Sequence, residues 1–512
     1  MRKQATLRFL RLPDSPIERE AAAHYLQLVE EQGLHAASLL ALVPAGHSLP
    51  ELARVRGHQV DACHDFSDFD QCAALGRSYD GVVIVSRLEQ SAEPLELLER
   101  VRATLKPGGV LLLVTPSLDS WSARLLGEHW SEWRRENKYY FDLQTVHGAL
   151  LRAGFAQVRV RSDQRCFSVQ HLRDRAHALP NTPLIHLVKL ASRLMPGVLR
   201  LRMRLRLPSS AMVVTAHRVE RRQEPLLSIV MPVYNERESF AITMDAVLRK
   251  QVPGLVKEII VVESASTDGT REIVRQYEGL PNVRVVFQDR PRGKGNAVRE
   301  GLRHARGDFI LIQDADQEYD VNDYDALLLP LQRYRRAFVL GSRHVDGWKI
   351  REFNDQPGLV ELLNVGHLLF VGLLNTMYRQ KLKDPFTMYK VFRRDCLYGV
   401  HLECNRFDFD FELVIKLFRK GYEPLEVPVS YRSRSFRDGK KVSFARDPWT
   451  WLRALVKYRF GSIYEPSSPC SSRVDSATIT TGVASPRLRP VPLPATRLLE
   501  RYGLPASRRA GR

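Results

Sequence analysis

The chain has no CxxC pair; its six cysteines, Cys63, Cys72, Cys166, Cys396, Cys404 and Cys470, are scattered along 512 residues. This spacing excludes a zinc module and a disulfide framework and fits a reducing compartment. The opening stretch, MRKQATLRFLRLPDSP, lacks the uninterrupted apolar core of a secretory signal. A cytoplasmic location is therefore expected. Long apolar runs are also scarce. In Leu359 to Tyr378, Glu361, Asn364, His367 and Asn375 project to one side of a helix, so the segment reads as amphipathic rather than spanning. There is no internal repeat and little low complexity before Tyr464. Beyond it, EPSSPCSS and SPRLRPVPLPATR space proline and serine too closely for a packed core, so 461–512 is expected to be a disordered basic tail.

What is abundant is positive charge: 77 Lys and Arg against 58 Asp and Glu give a net charge of +19. Such a surface attracts phosphate-rich partners: nucleic acid, anionic headgroups or phosphorylated substrates. The length exceeds what one core usually organises, and 44% apolar content suits globular domains. Short Val/Ile/Leu runs alternate with helical patterns in both halves, the mark of helix-covered, mostly parallel sheets. The fold class expected is α/β in two domains, 1–222 and 223–460, joined by a basic stretch and by RVERRQEP, where Pro225 blocks regular structure.

In the first half, Ser38 to Val43, Gly81 to Val85 and Val110 to Thr115 read as strands and Leu95 to Leu105 as a helix. Lys106, Pro107, Gly108 and Gly109 make the turn before the last strand. In the second half the strands are Leu227 to Val233, Glu258 to Glu263, Val283 to Phe287 and Phe309 to Ile312. Helices follow over Ser239 to Arg249, Thr270 to Tyr277 and Asn296 to Ala305.

Three of these strands end in chemistry. The first runs into Pro232, Tyr234, Asn235 and Glu236, the second into Glu263 and Asp268, and the third into Asp314 and Asp316. Carboxyl ends of parallel strands are where open α/β sheets bind ligands. Asp268 could equally be a cap of the following helix. Two carboxylates one residue apart can reach a single hard cation bridging a pyrophosphate. In RGKGNAVREG the glycines before a helix either bind phosphate or shape a tight turn. Arg432, Arg434, Arg437, Lys440 and Lys441 are denser than solubility requires. They form either a phosphate clamp or a solvated charged face.

Taken together, PVYNE, VVESASTDGT, RGKGNA, DADQEYD and GSR resemble family 2 glycosyltransferases, which have the GT-A fold. The later segments, DPFTMYKVFRRD and FDFDFELVIKLFRKGYEPLEVPVSYRSRSF, are similar to the polyprenyl-phosphate hexose transferases, a group that includes the dolichyl-phosphate mannose synthases. Asp384, Thr387, Tyr389, Lys390 and Arg393 match that group. The resemblance implies an inverting hexosyltransferase using a GDP- or UDP-hexose, with polyprenyl phosphate as acceptor. It places Pro232, Tyr234, Glu236, Glu263, Asp268, Lys294 and Arg343 on the nucleotide sugar. Asp314 and Asp316 would hold the pyrophosphate through Mg2+ or Mn2+, and Lys390, Arg432, Arg434, Lys440 and Lys441 the acceptor phosphate. Asp384 is the catalytic candidate beside the two metal-binding aspartates: a base if the acceptor is a hydroxyl, otherwise an orienting residue. One departure is visible, because Glu263 and Ser264 stand where the family often has two aspartates.

The segment beyond the clamp interleaves Trp449, Trp451, Tyr458 and Phe460 with Arg453, Lys457 and Arg459, which suits either a lipid–water interface or a helix packed on the domain. The protein is accordingly expected at the inner face of the cytoplasmic membrane as a peripheral partner. Nucleic acid is not expected, because no recognition module is present and an acidic rim repels a polyanion.

The first half, through YDGVVIVSRLEQ, LLERVRATLKPGGVLLLVTPSLDSW, LLRAGF and a closing strand Met212 to Val219, resembles class I methyltransferases of Rossmann type. Such enzymes need a glycine-rich turn after the first strand and an acidic residue after the second. Here the first offers only Gly46, and the second brings His64, with Asp65 one place later. A methyltransferase-like domain that has lost or weakened its S-adenosylmethionine site is the expectation. Two other readings stay open: transfer to a glycan hydroxyl, with the first domain methylating or recognising that glycan, and a non-catalytic nucleotide-binding scaffold.

Overall fold

The computed structural model describes residues 16–169, 190, 204–220, 222–344, 357–432 and 447–464. Two separate sheets organise it. The first contains β1 (Ser38–Leu42), β2 (Gln59–Cys63), β3 (Tyr79–Val85), β4 (Leu105–Pro116), β5 (Phe155–Ser168) and β6 (Arg204–Arg218), in the order β2-β1-β3-β4-β6-β5. The first four strands are parallel, and β6 runs antiparallel to both β4 and β5. The central strands are apolar on both faces because both faces are covered. Val83 and Val85 pack under the helix Pro16–Glu30, with Tyr25, Leu26 and Val29. Val82 and Ile84 pack on the other side with Phe69, Leu98 and Val146 from three further helices. Residues 106–109, expected as a turn, lie inside β4, which pairs with β3 first at Leu105 and again from Val110; the register shift between Tyr79 and Gly81 absorbs them as an irregularity.

The second sheet contains β7 (Leu226–Val233), β8 (Val256–Glu263), β9 (Val283–Phe287), β10 (Phe309–Ile312), β11 (Phe338–Ser342), β12 (Lys390–Arg393) and β13 (Leu425–Pro428). Its order is β13-β11-β12-β10-β7-β8-β9, with β12 antiparallel to its neighbours. From β7 the chain builds outward through β8 and β9, then crosses back to β10 on the other side. That reversal is a topological switch point, where crevices open at the strands' carboxyl ends. The helix after β8 spans Thr270–Arg275, ending before the expected Tyr277.

The first domain meets the second at the end of the second sheet opposite those carboxyl ends. Arg222 lies 3.7 Å from Asp308 at the start of β10. The Arg159 guanidinium lies 5.8 Å and 5.1 Å from the ring centres of Tyr398 and Tyr464. Leu151 enters the hydrophobic core of the second sheet. His147 packs edge-on to Tyr422 at 4.6 Å, with Gly421 (φ 106°) so close that a Cβ would stand 2.9 Å from its ring. Burial, reinforced by the Lys420 charge, pushes the His147 imidazole down to about 3.

Candidate active site

At the carboxyl edge of the second sheet, Val233 of β7 is in register with Glu263 of β8, and Ile312 of β10 with Val230. The loops leaving β7 and β8 are tied together. Asn235, at φ 50°, donates its amide to Ser266 Oγ (2.9 Å) and accepts from the Thr267 amide through Oδ1 (2.9 Å). Glu236 donates its amide to Thr270 Oγ1 at 2.9 Å and accepts from the Ser239 hydroxyl at 2.7 Å. Pro232 pairs with Val262, and the half-buried Tyr234 follows at the same edge. Ala265 sits at φ 54°, a left-handed backbone that costs a non-glycine residue about 1 kcal/mol and that these bonds hold in place.

Asp268 stands one residue before the N-cap Gly269, and its Oδ1 accepts from the Thr270 amide (3.0 Å) and hydroxyl (2.6 Å). Burial alone raises this carboxyl, but those bonds and the Arg237 amide hold it below its ordinary value. Glu263 is fully buried. Its Oε1 accepts from the Ser266 amide at 2.6 Å, and its Oε2 lies 3.3 Å from Arg271. In this arrangement it braces the loop between β8 and the following helix. Ser264 donates to Gln288 Oε1 at 3.0 Å.

The strand β10 delivers Asp314 and Asp316, and the helix Lys294–His304 delivers Lys294 to meet them. Lys294 Nζ lies 2.6 Å and 2.8 Å from the two Asp314 oxygens. Burial would lower the amine, yet Asp314, Asp410 and Asp316 outweigh it and hold Lys294 above its ordinary value. Of the glycines of RGKGNA, Gly293 makes the turn at φ 95°, and Gly295, inside the helix, admits close packing: a Cβ there would stand 2.6 Å from Phe409 Cβ. Asp316 is 5% exposed, with Oδ1 accepting from the Glu318 amide at 3.1 Å and its carbonyl from Thr243 Oγ1 at 2.9 Å.

Two carboxylates are a hard-oxygen donor set. Among the described residues no group of three or more His, Cys, Asp or Glu could hold a metal by itself. A cation of the Mg2+ type takes one or two carboxylates and completes its shell with substrate phosphates and water, and Asp314 and Asp316 would be the protein's share.

Beside the aspartates lies a second charge pair. Arg343, just past β11, binds Asp384 bidentately, Nε to Oδ2 at 2.7 Å and Nη2 to Oδ1 at 2.8 Å, and its amide adds a third bond at 3.0 Å. Asp384 is fully buried and Arg343 nearly so. Burial pushes the Asp384 carboxyl up, but the Arg343 charge and hydrogen bonds win and hold it well below the carboxylate range. The guanidinium also faces the Tyr431 ring at 5.0 Å. Held in this way, Asp384 has no free oxygen edge for a substrate proton.

Lys390 is fully buried on β12, donating to the Thr387 carbonyl and to Asp410 Oδ1 at 2.9 Å. Burial lowers its amine despite Asp410. Enclosed by β-strand alternation, the lysine stands here as an internal counter-charge to Asp410. Asp410, its partner, was missed in the sequence because FDFDFEL offers three acids without showing which turns inward. Of the basic clamp, Arg432 is exposed, and its amide bonds the Glu318 carbonyl at 2.8 Å, next to the aspartate loop. Arg434, Arg437, Lys440 and Lys441 lie outside the described residues.

At the corresponding edge of the first sheet, Asp65 is spent on the Asp68 amide (2.8 Å) and the Ser67 hydroxyl (2.7 Å). Arg87 donates to the His64 carbonyl and to Gln90 Oε1. The acid that could receive ribose hydroxyls is already a helix cap.

Residues 228–398 match the family model Glycosyl transferase family 2, and residues 23–160 the model Methyltransferase domain. Dolichyl-phosphate beta-glucosyltransferase ALG5C of Trichomonas vaginalis is 30% identical over 41% of this chain and 64% of its own. Dolichol-phosphate mannosyltransferase of Pyrococcus furiosus is 27% identical over 42% of this chain and 58% of its own. The chain thus spans about three fifths of the length of these relatives. Among solved structures, glucosyl-3-phosphoglycerate synthase of Mycobacterium tuberculosis is similar at 21% identity, covering 46% of this chain and 79% of that one with a TM-score of 0.35. The chain, a two-sheet α/β protein, is thus similar over residues 23–160 to a methyltransferase domain and over residues 228–398 to family 2 glycosyltransferases.

Proposed function

We propose that the second domain transfers a hexose, with inversion, from a GDP- or UDP-hexose to polyprenyl phosphate. Tyr234, Glu236 and Asp268 line the nucleoside side, and Lys294 reaches the diphosphate. Asp314 and Asp316 would hold Mg2+ or Mn2+, which would supply charge neutralisation for the departing nucleoside diphosphate. A phosphate oxygen of the acceptor attacks the anomeric carbon from the face opposite the leaving group. The bond to the nucleoside diphosphate breaks with its electron pair, and no proton must be removed.

The observation that carries the phosphate acceptor is the Arg343–Asp384 clamp. A hydroxyl acceptor needs a carboxylate poised to take a proton. Here Asp384 is locked as an anion to Arg343 and Asp410 is paired with Lys390. A phosphate monoester, with a second pKa of about 6, is already a nucleophile at neutral pH. The dolichyl-phosphate transferases among the relatives support the same acceptor class. Arg432, with Arg434, Lys440 and Lys441 as further candidates, would hold that phosphate. Asp384 fixes Arg343 and the loop around it. In this reading the protein works at the inner face of the cytoplasmic membrane as a peripheral protein, with the first domain as a docked support at the far end of the sheet.

The test is product extraction. Full-length protein, Mn2+ or Mg2+, labelled UDP- or GDP-hexose and undecaprenyl phosphate should yield label that enters organic solvent, and EDTA or Asp316→Ala should abolish it. Label appearing only in a water-soluble glycan would favour the hydroxyl reading. Absence of any transfer or donor hydrolysis would favour the scaffold.

A further inference from the structure

The helix Pro357–Tyr378 is amphipathic in the reverse sense from an ordinary surface helix. Its polar residues face inward: Asn364 is 1% and His367 6% exposed. His367 Nε2 lies 3.3 Å from His344 Nε2, just past Arg343, and the His367 ring lies 4.8 Å from that of Phe386. Asn375, one turn from the helix end, accepts from the Leu382 amide (3.0 Å) and donates to its carbonyl (2.8 Å), two residues before Asp384. The outward stripe is apolar: Val365 (43%), Leu368 (41%), Leu369 (70%) and Leu373 (37%), at the i, i+3, i+4, i+8 spacing of one helix face. The Glu361 side chain lies outside the described residues.

The helix Asp447–Phe460 packs beside it, with Trp451 5.6 Å from Phe370 and the Tyr378 hydroxyl bonded to the Leu455 carbonyl at 2.5 Å. It leaves its own apolar stripe to solvent, Leu452 (37%), Val456 (47%) and Phe460 (81%), at i, i+4 and i+8. Cations accompany both stripes: Arg379 and Lys381 just after the first helix, and Arg453 and Arg459 on the second, are exposed. Among the described residues no helix is long and apolar enough to cross a membrane. Apolar stripes bordered by cations fit a surface that lies in the plane of an anionic bilayer, its side chains entering the acyl boundary and its cations meeting the headgroups.

We infer that the outward stripes of these two helices form the docking face for an anionic lipid bilayer, while the inward side of the first helix holds the loop carrying Asp384. The inference rests on the proposed polyprenyl-phosphate reading only for its purpose: it brings the lipid's phosphate to the edge of the sheet where Arg343, Asp384 and Arg432 lie. Docking itself requires neither donor nor acceptor.

Full-length protein is floated with phosphatidylcholine vesicles, with and without phosphatidylglycerol, in low and high salt. The expected result is binding that increases with phosphatidylglycerol and falls with salt. Leu369→Glu or Phe460→Glu should each weaken it about tenfold, the scale of withdrawing one large apolar side chain. Both positions are exposed, so thermal unfolding should be unchanged. Arg453→Gln should reduce binding only to the anionic vesicles. Undiminished flotation of the Leu369→Glu/Phe460→Glu double variant would overturn the inference. So would the same variant converting a dimer to a monomer by light scattering with vesicle binding intact, since a second copy of the chain would then own the face. Transfer to a short-chain, water-soluble polyprenyl phosphate reads the proposed reaction independently: its survival in the double variant alongside lost flotation supports docking, and its absence in the wild type counts against the reaction alone.

Discussion

Replacing Asp384 by asparagine leaves the shape of the site and removes the charge that Arg343 binds. The guanidinium is then a buried cation, 7% exposed, facing only an amide and the Tyr431 ring. Breaking one half of a buried pair typically costs about 3–5 kcal/mol. For a domain of this size each kcal/mol moves Tm by about 2–4 °C, so the transition assigned to the second domain should fall on the order of 10 °C. The sign with pH is fixed by the depressed carboxyl of Asp384. Its contribution is fully present above the usual carboxylate range and is lost only as pH falls through the much lower folded value. The gap between wild type and Asp384→Asn should therefore be flat from mildly acidic to alkaline pH and close only in strong acid. Arg343→Met/Asp384→Leu should recover most of the loss, since neither partner is left charged and alone. Transfer to a polyprenyl phosphate should persist in Asp384→Asn, weakened about a hundredfold by the misplaced loop. Calorimetry across pH and radiolabel transfer would read both. A stable Asp384→Asn with no residual transfer would refute the reasoning, because it would make Asp384 a base rather than a clamp.

Three further predictions concern other parts of the molecule. His147 is neutral and buried between the domains, with its value pushed down to about 3 from 6.5. The unfolded chain therefore binds a proton before the folded one, and stability falls as pH drops through that window, by at most about 5 kcal/mol. His147→Leu should flatten that acid limb relative to wild type in pH-dependent urea unfolding. Gly295→Ala should destabilise the second domain by about 1–3 kcal/mol and weaken nucleotide binding, because the new methyl meets the Phe409 Cβ and the carbonyls of Arg406 and Cys404 and must shift Lys294. Thermal shift with UDP and GDP would show it. S-adenosylmethionine should give no saturable heat on titration into the full-length chain, since Asp65 and Arg87 already satisfy each end of the loop it would need. Micromolar binding would contradict this.

The two helices at the acceptor side show how far pattern reading reaches. Leu359 to Tyr378 is legible as amphipathic from periodicity, but periodicity is symmetric under inversion: it fixes that polar residues share a face, not which face is inside. The structure turns Asn364 and His367 inward, His367 against His344 Nε2 at 3.3 Å, and brings Asn375 onto the backbone of Leu382. Glu263 and Lys390 show the same limit. Both stand in motifs at a sheet edge, and strand alternation decides which side chains reach the crevice and which are enclosed.

The order of apolar runs and the polar clusters at their ends determined the two α/β domains and the convergence of Pro232, Tyr234, Glu236, Asp268, Asp314 and Asp316, because parallel strands covered by helices must place their carboxyl ends on one edge. The tertiary structure decided which charges face each other. Lys294 meets Asp314, Lys390 meets Asp410 and Arg343 meets Asp384 across as many as 41 positions of chain. In a buried setting, where an unpaired charge costs several kcal/mol, those pairings fix which carboxylates are held as anions and by which cation. Linear spacing carries no term for that energy.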